Sequence, residues 1–243
     1  MTPKDERLKF VIFGARKQKN YSQRSYYKAP YFAKPGEIGE LFGYSNFDEG
    51  KEITADFAIV DLETSGLSAS SSFIIEIAII RMSPEGQITD SFQTLISPPD
   101  GNVGRPDIHL INPKDVIGAP TFEEVTGNIL AALNDCIVVA HNAKFEEMFL
   151  AAEFSRAGVQ VPKIPAIDTM WIAQMELDIV NYKLPTVLAH YGHEIIDAHT
   201  ALGDVISISK FLPNILQAVP SQKYPVNLQK LPSMPKTSKL KPR

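Results

Sequence analysis

DFAIVDLETSGL, residues 56–67, carries the strongest indication of the fold. Residues 57–60 are apolar and rich in strand-forming types, and a Thr-Ser-Gly sequence typical of a turn follows the last acidic residue. Asp61 and Glu63 lie two residues apart, so in a strand both side chains point to the same face. The sequence therefore predicts a buried strand that ends in two neighbouring carboxylates.

Strands and helices alternate after this stretch. FIIEIAIIRM, from Phe73, predicts a second strand, and ITDSFQTLI predicts a third strand that pairs back after a Pro-Glu-Gly turn. Thr121 and Glu124 have the spacing of a capping box, which predicts a helix. CIVVAHN then predicts a strand, KFEEMFLAAEFSRAG a helix, and residues 199–216 a final helix. This order predicts an α/β fold, a mixed sheet with helices on both faces.

Charge is divided along the chain. The net charge is −4 over 243 residues, but residues 1–36 carry nine Lys/Arg against two Asp/Glu. Residues 220–243 carry six Lys/Arg and no acid, and residues 37–219 hold nine basic and 26 acidic residues. The pattern fits a carboxylate site neutralised by metal, with basic arms that bind an anionic polymer. It also fits a solvated acidic surface with charged tails, which is the interpretation that charge alone favours.

Composition divides the chain into three parts. Residues 1–52 form a basic, aromatic-rich arm, and residues 53–219 form the main domain. Residues 220–243 contain five prolines and are predicted to be a disordered tail. The segment KFVIFG, residues 9–14, is a candidate strand within the arm. The lone Cys136 is expected to be buried and reduced in a cytoplasmic protein, and we expect neither a signal peptide nor a membrane span.

A second motif, HNAKFEEMFL, places polar groups where a strand passes into a helix. His141 and Asn142 end the strand, and Phe145 and Glu146 begin the helix. Strand ends in α/β sheets line the ligand crevice, which favours contact between these side chains and a substrate. On the sequence alone, His141 can equally be a structural histidine.

A third motif, HTALGD, joins a histidine to an acid five residues later. On a helix, His199 and Asp204 would lie ~140° apart around the axis, so we expect no direct hydrogen bond between them. Asp204 could ligate a metal, and a neutral imidazole with a pKa of about 6.5 suits a general base. A histidine at a helix start and a surface aspartate are the alternative.

Together, the three motifs resemble those of the DEDDh 3′→5′ exonuclease superfamily, most of all the proofreading (epsilon) subunit of bacterial DNA polymerase III. DLETSGL, HNAKFEEMFL and HTALGD follow the family's order within residues 54–212. IIEIAII, from Ile74, matches the strand after the first motif. The resemblance implies a ribonuclease H-like mixed sheet flanked by helices, with residues 53–219 as the exonuclease domain.

The resemblance also implies a two-metal hydrolase. Oxygen ligands alone indicate Mg²⁺ or Mn²⁺ rather than zinc. Two such ions would be held by Asp61, Glu63, Glu146 and Asp204, with His199 as the general base. The terminal nucleotide would be seated by Thr64, Leu67, His141, Asn142 and Phe145. The expected partners are the 3′ end of a single-stranded nucleic acid, DNA rather than RNA, and a DNA polymerase subunit.

Three positions depart from the family pattern. Glu146 stands where the family has aspartate, Ala78 where it has glycine, and Thr200 where it has arginine. The longer Glu146 leaves open a catalytically weakened module that binds nucleic acid or docks onto a polymerase. An exonuclease that trims RNA 3′ ends is the other alternative.

Overall fold

The computed structural model describes residues 41–44, 55–195, 197, 199–217 and 228–243. Its strands are β1 Phe42–Tyr44, β2 Asp56–Thr64, β3 Ile74–Met82, β4 Ile88–Leu95, β5 Cys136–Ala140 and β6 Ile164–Asp168. Its helices are α1 Pro106–His109, α2 Phe122–Leu133, α3 Ala143–Arg156, α4 Thr169–Glu176, α5 Leu184–His190 and α6 Ala201–Gln217. In these ranges, no helix has both the length and the apolar character to cross a bilayer.

The strands form a single mixed sheet in the order β1-β6-β5-β2-β3-β4. β1, β6, β5 and β2 run parallel, and β3 and β4 add an antiparallel meander to β2. The capping box at the start of α2 is present, with Glu124 N–H donating to the Thr121 hydroxyl. The predicted mixed sheet with flanking helices is therefore confirmed.

Each face of the sheet packs against its own helices. Ala58 and Val60 of β2 belong to a core shared with α2 and α3. Phe57 and Ile59 alternate with them and pack with α4, α5 and α6 on the other face. By the two-residue period of a strand, the side chain of Asp61 follows Phe57 and Ile59 toward the α6 face.

The sheet begins earlier in the chain than the proposed boundary at residue 53. β1 lies within the segment assigned to the arm, yet it pairs with β6 at the sheet edge. The buried Glu147 fixes it by accepting hydrogen bonds from the N–H groups of Leu41 and Phe42, at 3.0 and 2.9 Å. The candidate strand at residues 9–14 lies outside the described residues.

Residues 228–243, here called the strap, pack onto the domain, and the prediction of a disordered tail is wrong for them. Leu231 is buried in the core, and its N–H donates to the Asn134 side chain at 2.9 Å. Asn128 exchanges two hydrogen bonds with the backbone of Thr237, at 2.9 and 3.2 Å. Prolines leave fewer strap N–H groups that need partners, and side chains of the domain satisfy several of those that remain.

Candidate active site

β2 carries the first two acids of the site. Asp61 and Glu63 are partly buried, and Glu63 lies opposite Glu76 in the β2–β3 ladder. Ala78, two residues after Glu76, packs on the α6 face, so Glu76 is on that face too. The end of β2 therefore directs its carboxylates toward the start of α6.

α6 supplies Asp204 from its first turn. The helix begins at Ala201, not at His199 as the sequence predicted. Thr200 explains the difference, because its hydroxyl accepts the N–H of Gly203 at 3.0 Å, as a helix N-cap does. His199 precedes the cap in a left-handed conformation, with φ of 64°, and its side chain is exposed. The helical angle between His199 and Asp204 therefore does not apply.

α3 supplies Glu146 from the opposite side of the sheet. Glu146 is only 3% exposed. The start of α3 is held by Asp168, whose carboxylate accepts the N–H groups of Asn142 and Ala143 at 3.2 and 2.8 Å. The same carboxylate accepts two N–H groups at the start of α4, so Asp168 fixes both helices. The charge of Glu146 raises the pKa of Asp61, so the two carboxylates lie near each other.

The four acids repel one another. Burial raises the pKa of Asp61 well above its usual value, and the charges of Glu146, Asp204 and Glu63 raise it further. Burial also raises the pKa of Glu63 to about 8, with added repulsion from Glu76. For Asp204, burial raises the pKa to about 6, although the nearby His199 opposes the shift. Ionising all four acids together would concentrate negative charge that a cation would neutralise.

Two carboxylate oxygens suggest where such a cation would bind. Glu146 Oε2 and Asp204 Oδ1 are buried and have no hydrogen-bond partner. Buried polar atoms are rarely left unpaired, and hard divalent cations take oxygen ligands of this kind. Within the described ranges, no three Asp, Glu, His or Cys side chains are already gathered as a ligand set. The donor chemistry fits Mg²⁺ or Mn²⁺, and binding would draw the carboxylates together.

The turn after β2 forms one wall beside the acids. Its backbone is fixed because the Thr64 hydroxyl donates to the Gly66 carbonyl at 2.7 Å. Gly104 lies directly behind it, where an added Cβ would sit 2.1 Å from the Ser65 carbonyl oxygen. Leu67 projects from the turn and is 86% exposed. A groove of about 640 Å³ separates residues 67–70 of this turn from α3.

Two further predicted substrate residues have partners of their own. The Phe145 ring packs against Phe149, with ring centroids 4.9 Å apart. Both ring nitrogens of His141 are engaged, by the Tyr182 carbonyl at 2.8 Å and the Thr169 hydroxyl at 2.9 Å. Burial lowers the pKa of His141 to about 4, so the ring is neutral and its Nε2–H donates to the carbonyl. Neither ring nitrogen of His141 is therefore free to bind a substrate.

Two acids beside the site, Glu76 and Asp168, were not predicted from the sequence. Glu76 is fully buried among the apolar residues of β3, and Asp168 caps two helices. The signal for Glu76 was a lone charge inside an apolar strand. The signal for Asp168 was an Asp-Thr pair directly after a strand, which is typical of a helix N-cap. Neither signal shows which groups the carboxylate would meet.

A family model described as "Exonuclease" (RNase_T) matches residues 58–212. DNA polymerase III PolC-type of Halalkalibacterium halodurans is 31% identical over 155 residues, which cover 63% of this chain and 11% of that polymerase. The PolC-type polymerase of Thermotoga maritima is 31% identical over 193 residues, which cover 72% of this chain and 14% of that polymerase. The chain thus spans only a small part of these relatives.

Solved structures share the fold at low identity. E. coli exonuclease I in complex with a dT13 oligonucleotide has a TM-score of 0.59 at 16% identity, over 68% of this chain and 42% of that one. The nuclease domain of 3′hExo, described as a DEDDh family member bound to rAMP, has a TM-score of 0.59 at 14% identity. The match covers 72% of this chain and 99% of that one. The family match covers more than half of the chain and contains all three motifs. This chain therefore belongs to the exonuclease family, and it is similar to a segment of PolC-type DNA polymerase III.

Proposed function

We propose that this chain is a metal-dependent 3′→5′ exonuclease that hydrolyses the terminal phosphodiester of single-stranded DNA. One observation carries the proposal. Asp61 of β2 is near enough to Glu63, Glu146 and Asp204 for their charges to raise its pKa, and two buried oxygens, on Glu146 and Asp204, have no hydrogen-bond partner. A fold needs no such repulsive cluster for its stability, whereas a divalent-metal site does.

Each acid has a role in holding the ions. Asp61, Glu63 and Asp204 would hold the ion beside the attacking water, and Asp61 and Glu146 the ion beside the leaving 3′ oxygen. Two divalent cations supply charge that offsets the repulsion between hydroxide and a phosphate anion. Glutamate at position 146 keeps the charge and both acceptor oxygens of aspartate, so we assign it a ligand role rather than lost function.

His199 is the proposed general base. The influence of His199 on the pKa of Asp204 supports a position for the imidazole near the carboxylates. The side chain is exposed, so a proton taken from water can pass to solvent. Its place before the α6 cap leaves it outside the helix packing, with room to turn toward the substrate. A module that only binds nucleic acid has no use for a base at this point.

The substrate side is proposed from the turn and the α3 wall. Thr64 and Leu67 would seat the terminal nucleotide, and Asn142 and Phe145 would flank it. His141 would act mainly by bracing the segments around Thr169 and Tyr182. The exposed Leu67 offers an apolar surface for a base beside an otherwise acidic cluster.

DNA is the proposed substrate because the PolC-type relatives are named as DNA polymerases. Proofreading beside a DNA polymerase, in the cytoplasm, is the proposed role. A solved neighbour described as a 3′-exonuclease that recognises a histone mRNA stem-loop has a TM-score of 0.60 at 15% identity, over 79% of this chain and 96% of that one. RNA trimming is therefore the second candidate, and the substrate panel below separates the two.

The test uses end-labelled single-stranded DNA, RNA and mismatched duplex, each with Mg²⁺, Mn²⁺ or EDTA. We expect mononucleotides from the 3′ end of single-stranded DNA, activity only with metal, and none for Asp61→Ala or Asp204→Ala. Glu123→Ala, which removes an exposed acid of α2, is the matched control and should cleave like the parent. Activity in EDTA would contradict the metal mechanism, and binding without cleavage would favour a docking module.

A further inference from the structure

Arg243 of the strap lies beside the carboxylate cluster. Its Nη1 donates to Glu76 Oε2 at 3.2 Å and to the backbone carbonyl of His199 at 3.3 Å. The Arg243 side chain is 21% exposed and that of Glu76 is 0% exposed. One guanidinium therefore joins β3 to the loop that carries the proposed general base.

Glu76 connects three elements of the site. Its Oε1 accepts from the Gln93 amide of β4 at 2.9 Å, and its Oε2 accepts from the N–H of Ala201 at 3.3 Å. Ala201 is the first residue of α6, and Glu63 lies opposite Glu76 on β2. A buried carboxylate that loses its cationic partner is strongly disfavoured and would have to rearrange. The start of α6 would move with it.

The strap holds Arg243 in place through contacts away from the site. Pro235 packs so closely on α2 that a Cβ on Gly127 would lie 2.0 Å from its carbonyl oxygen. Closer to the site, the Lys241 N–H donates to the Thr94 hydroxyl at 3.0 Å. The Lys241 carbonyl accepts from the Leu95 N–H at 2.8 Å. The strap lies beyond residues 58–212, the segment that matches the family.

We propose that Arg243 is a positioning residue of the active site. By binding Glu76 and the His199 carbonyl together, it holds the start of α6, and so His199 and Asp204, against β2. The inference rests on the proposed function, because the reaction it serves is hydrolysis at the carboxylate cluster. It adds to that function a residue from outside the family-matched segment.

The kinetic test compares Arg243→Ala and Arg243→Lys with Lys239→Ala in the full chain. Lys239 lies in the same strap but pairs with Glu124, away from the acids, so its variant is the matched control. With Mn²⁺ and single-stranded DNA, we expect Arg243→Ala to lower the single-turnover rate by up to about 10²-fold, with little change in the Kd for the strand. Methylguanidinium should restore part of the lost rate, whereas NaCl at the same concentration should not. The Lys variant keeps the charge and should fall between parent and Ala.

Hydrogen exchange gives a second readout that needs no activity. Amides of residues 199–204 should exchange faster in Arg243→Ala than in the parent, and at the parental rate in Lys239→Ala. A parental or faster cleavage rate in Arg243→Ala would overturn the proposal, and a faster rate would mean that Arg243 blocks the site. Should the parent cleave nothing, the proposed function fails, and the exchange comparison alone decides the positioning role. Melting curves identify an unfolded Ala variant, in which case Arg243→Lys provides both readouts.

Discussion

Replacing Asp204 by asparagine should stabilise the metal-free protein above pH 6 and leave its stability near pH 4 unchanged. In the folded state, burial raises the pKa of Asp204 from 3.8 to about 6. The folded protein therefore binds this proton more tightly than the unfolded chain does. Below pH 3.8 both states are protonated and the carboxyl has no effect. As pH rises through 6 the folded state loses stability, and asparagine removes that loss.

The size of the effect follows from the shift. One pKa unit corresponds to ~1.4 kcal/mol, so a shift of two units gives about 3 kcal/mol as an upper limit. Asp204 is partly exposed, and solvent screening reduces this to about 1–2 kcal/mol. For a domain of this size, that difference corresponds to about 2–8 °C in Tm.

Thermal unfolding in EDTA between pH 4 and 8 measures the stability difference between the parent and Asp204→Asn. The Tm of Asp204→Asn should exceed that of the parent by a margin that opens between pH 4 and 6.5. Glu123→Gln, which neutralises an exposed acid, should follow the parent at every pH. Saturating Mn²⁺ should reverse the order, because only the parent keeps all the proposed ligands. Parallel curves for the parent and Asp204→Asn in EDTA would refute the repulsion argument.

Four further predictions concern separate parts of the molecule. His199→Ala should slow single-turnover cleavage by roughly 10²–10⁴-fold with little loss of Mn²⁺ affinity, and a collapse of that affinity would make His199 a ligand instead. Glu146→Ala should strongly reduce cleavage at saturating metal while Glu146→Asp retains or raises it; parental cleavage by the Ala variant would place Glu146 outside the site. Gly127→Ala should lower the free energy of unfolding in urea, because its Cβ would meet the Pro235 carbonyl, whereas an ordinary helix glycine would gain about 1 kcal/mol. Deleting residues 1–36 should weaken single-strand binding and flatten its salt dependence, and unchanged titrations at two salt concentrations would reject a role for that basic segment.

Much of the fold could be predicted because its signals are local. The apolar run before Asp61, the turn at residues 84–86 and the capping box of α2 each depend on neighbours in the sequence. Together they gave the meander, the later β-α units and the mixed sheet. The ordered motifs then indicated which strand and helix ends would carry the acids.

The strap could not be predicted, because what orders it lies elsewhere in the chain. Its composition, rich in proline and lysine, is that of a disordered segment. The strap is held by partners about a hundred residues away in the sequence. These include the side chains of Asn134 and Asn128, and Gly127, whose missing side chain lets Pro235 pack against α2. None of these residues has a signal that names the strap as its partner.

Part of the site was also hidden from the sequence. The sequence predicted that the last helix would begin at His199. The Thr200 hydroxyl instead caps α6, so the histidine lies outside the helix. Glu76 was visible as a charge in an apolar strand, while its partners come from β4, α6 and the strap. Such contacts arise only when the chain is folded, so sequence patterns identify the acids but not the network around them.

Anomalous scattering from crystals soaked in Mn²⁺ with a short single strand of DNA tests the metal site most directly. We expect two manganese peaks ~3.5–4 Å apart. Both should lie among Asp61, Glu63, Glu146 and Asp204, with the strand's terminal phosphate beside them. A bound strand with no manganese at these four acids would rule out the proposed metal site.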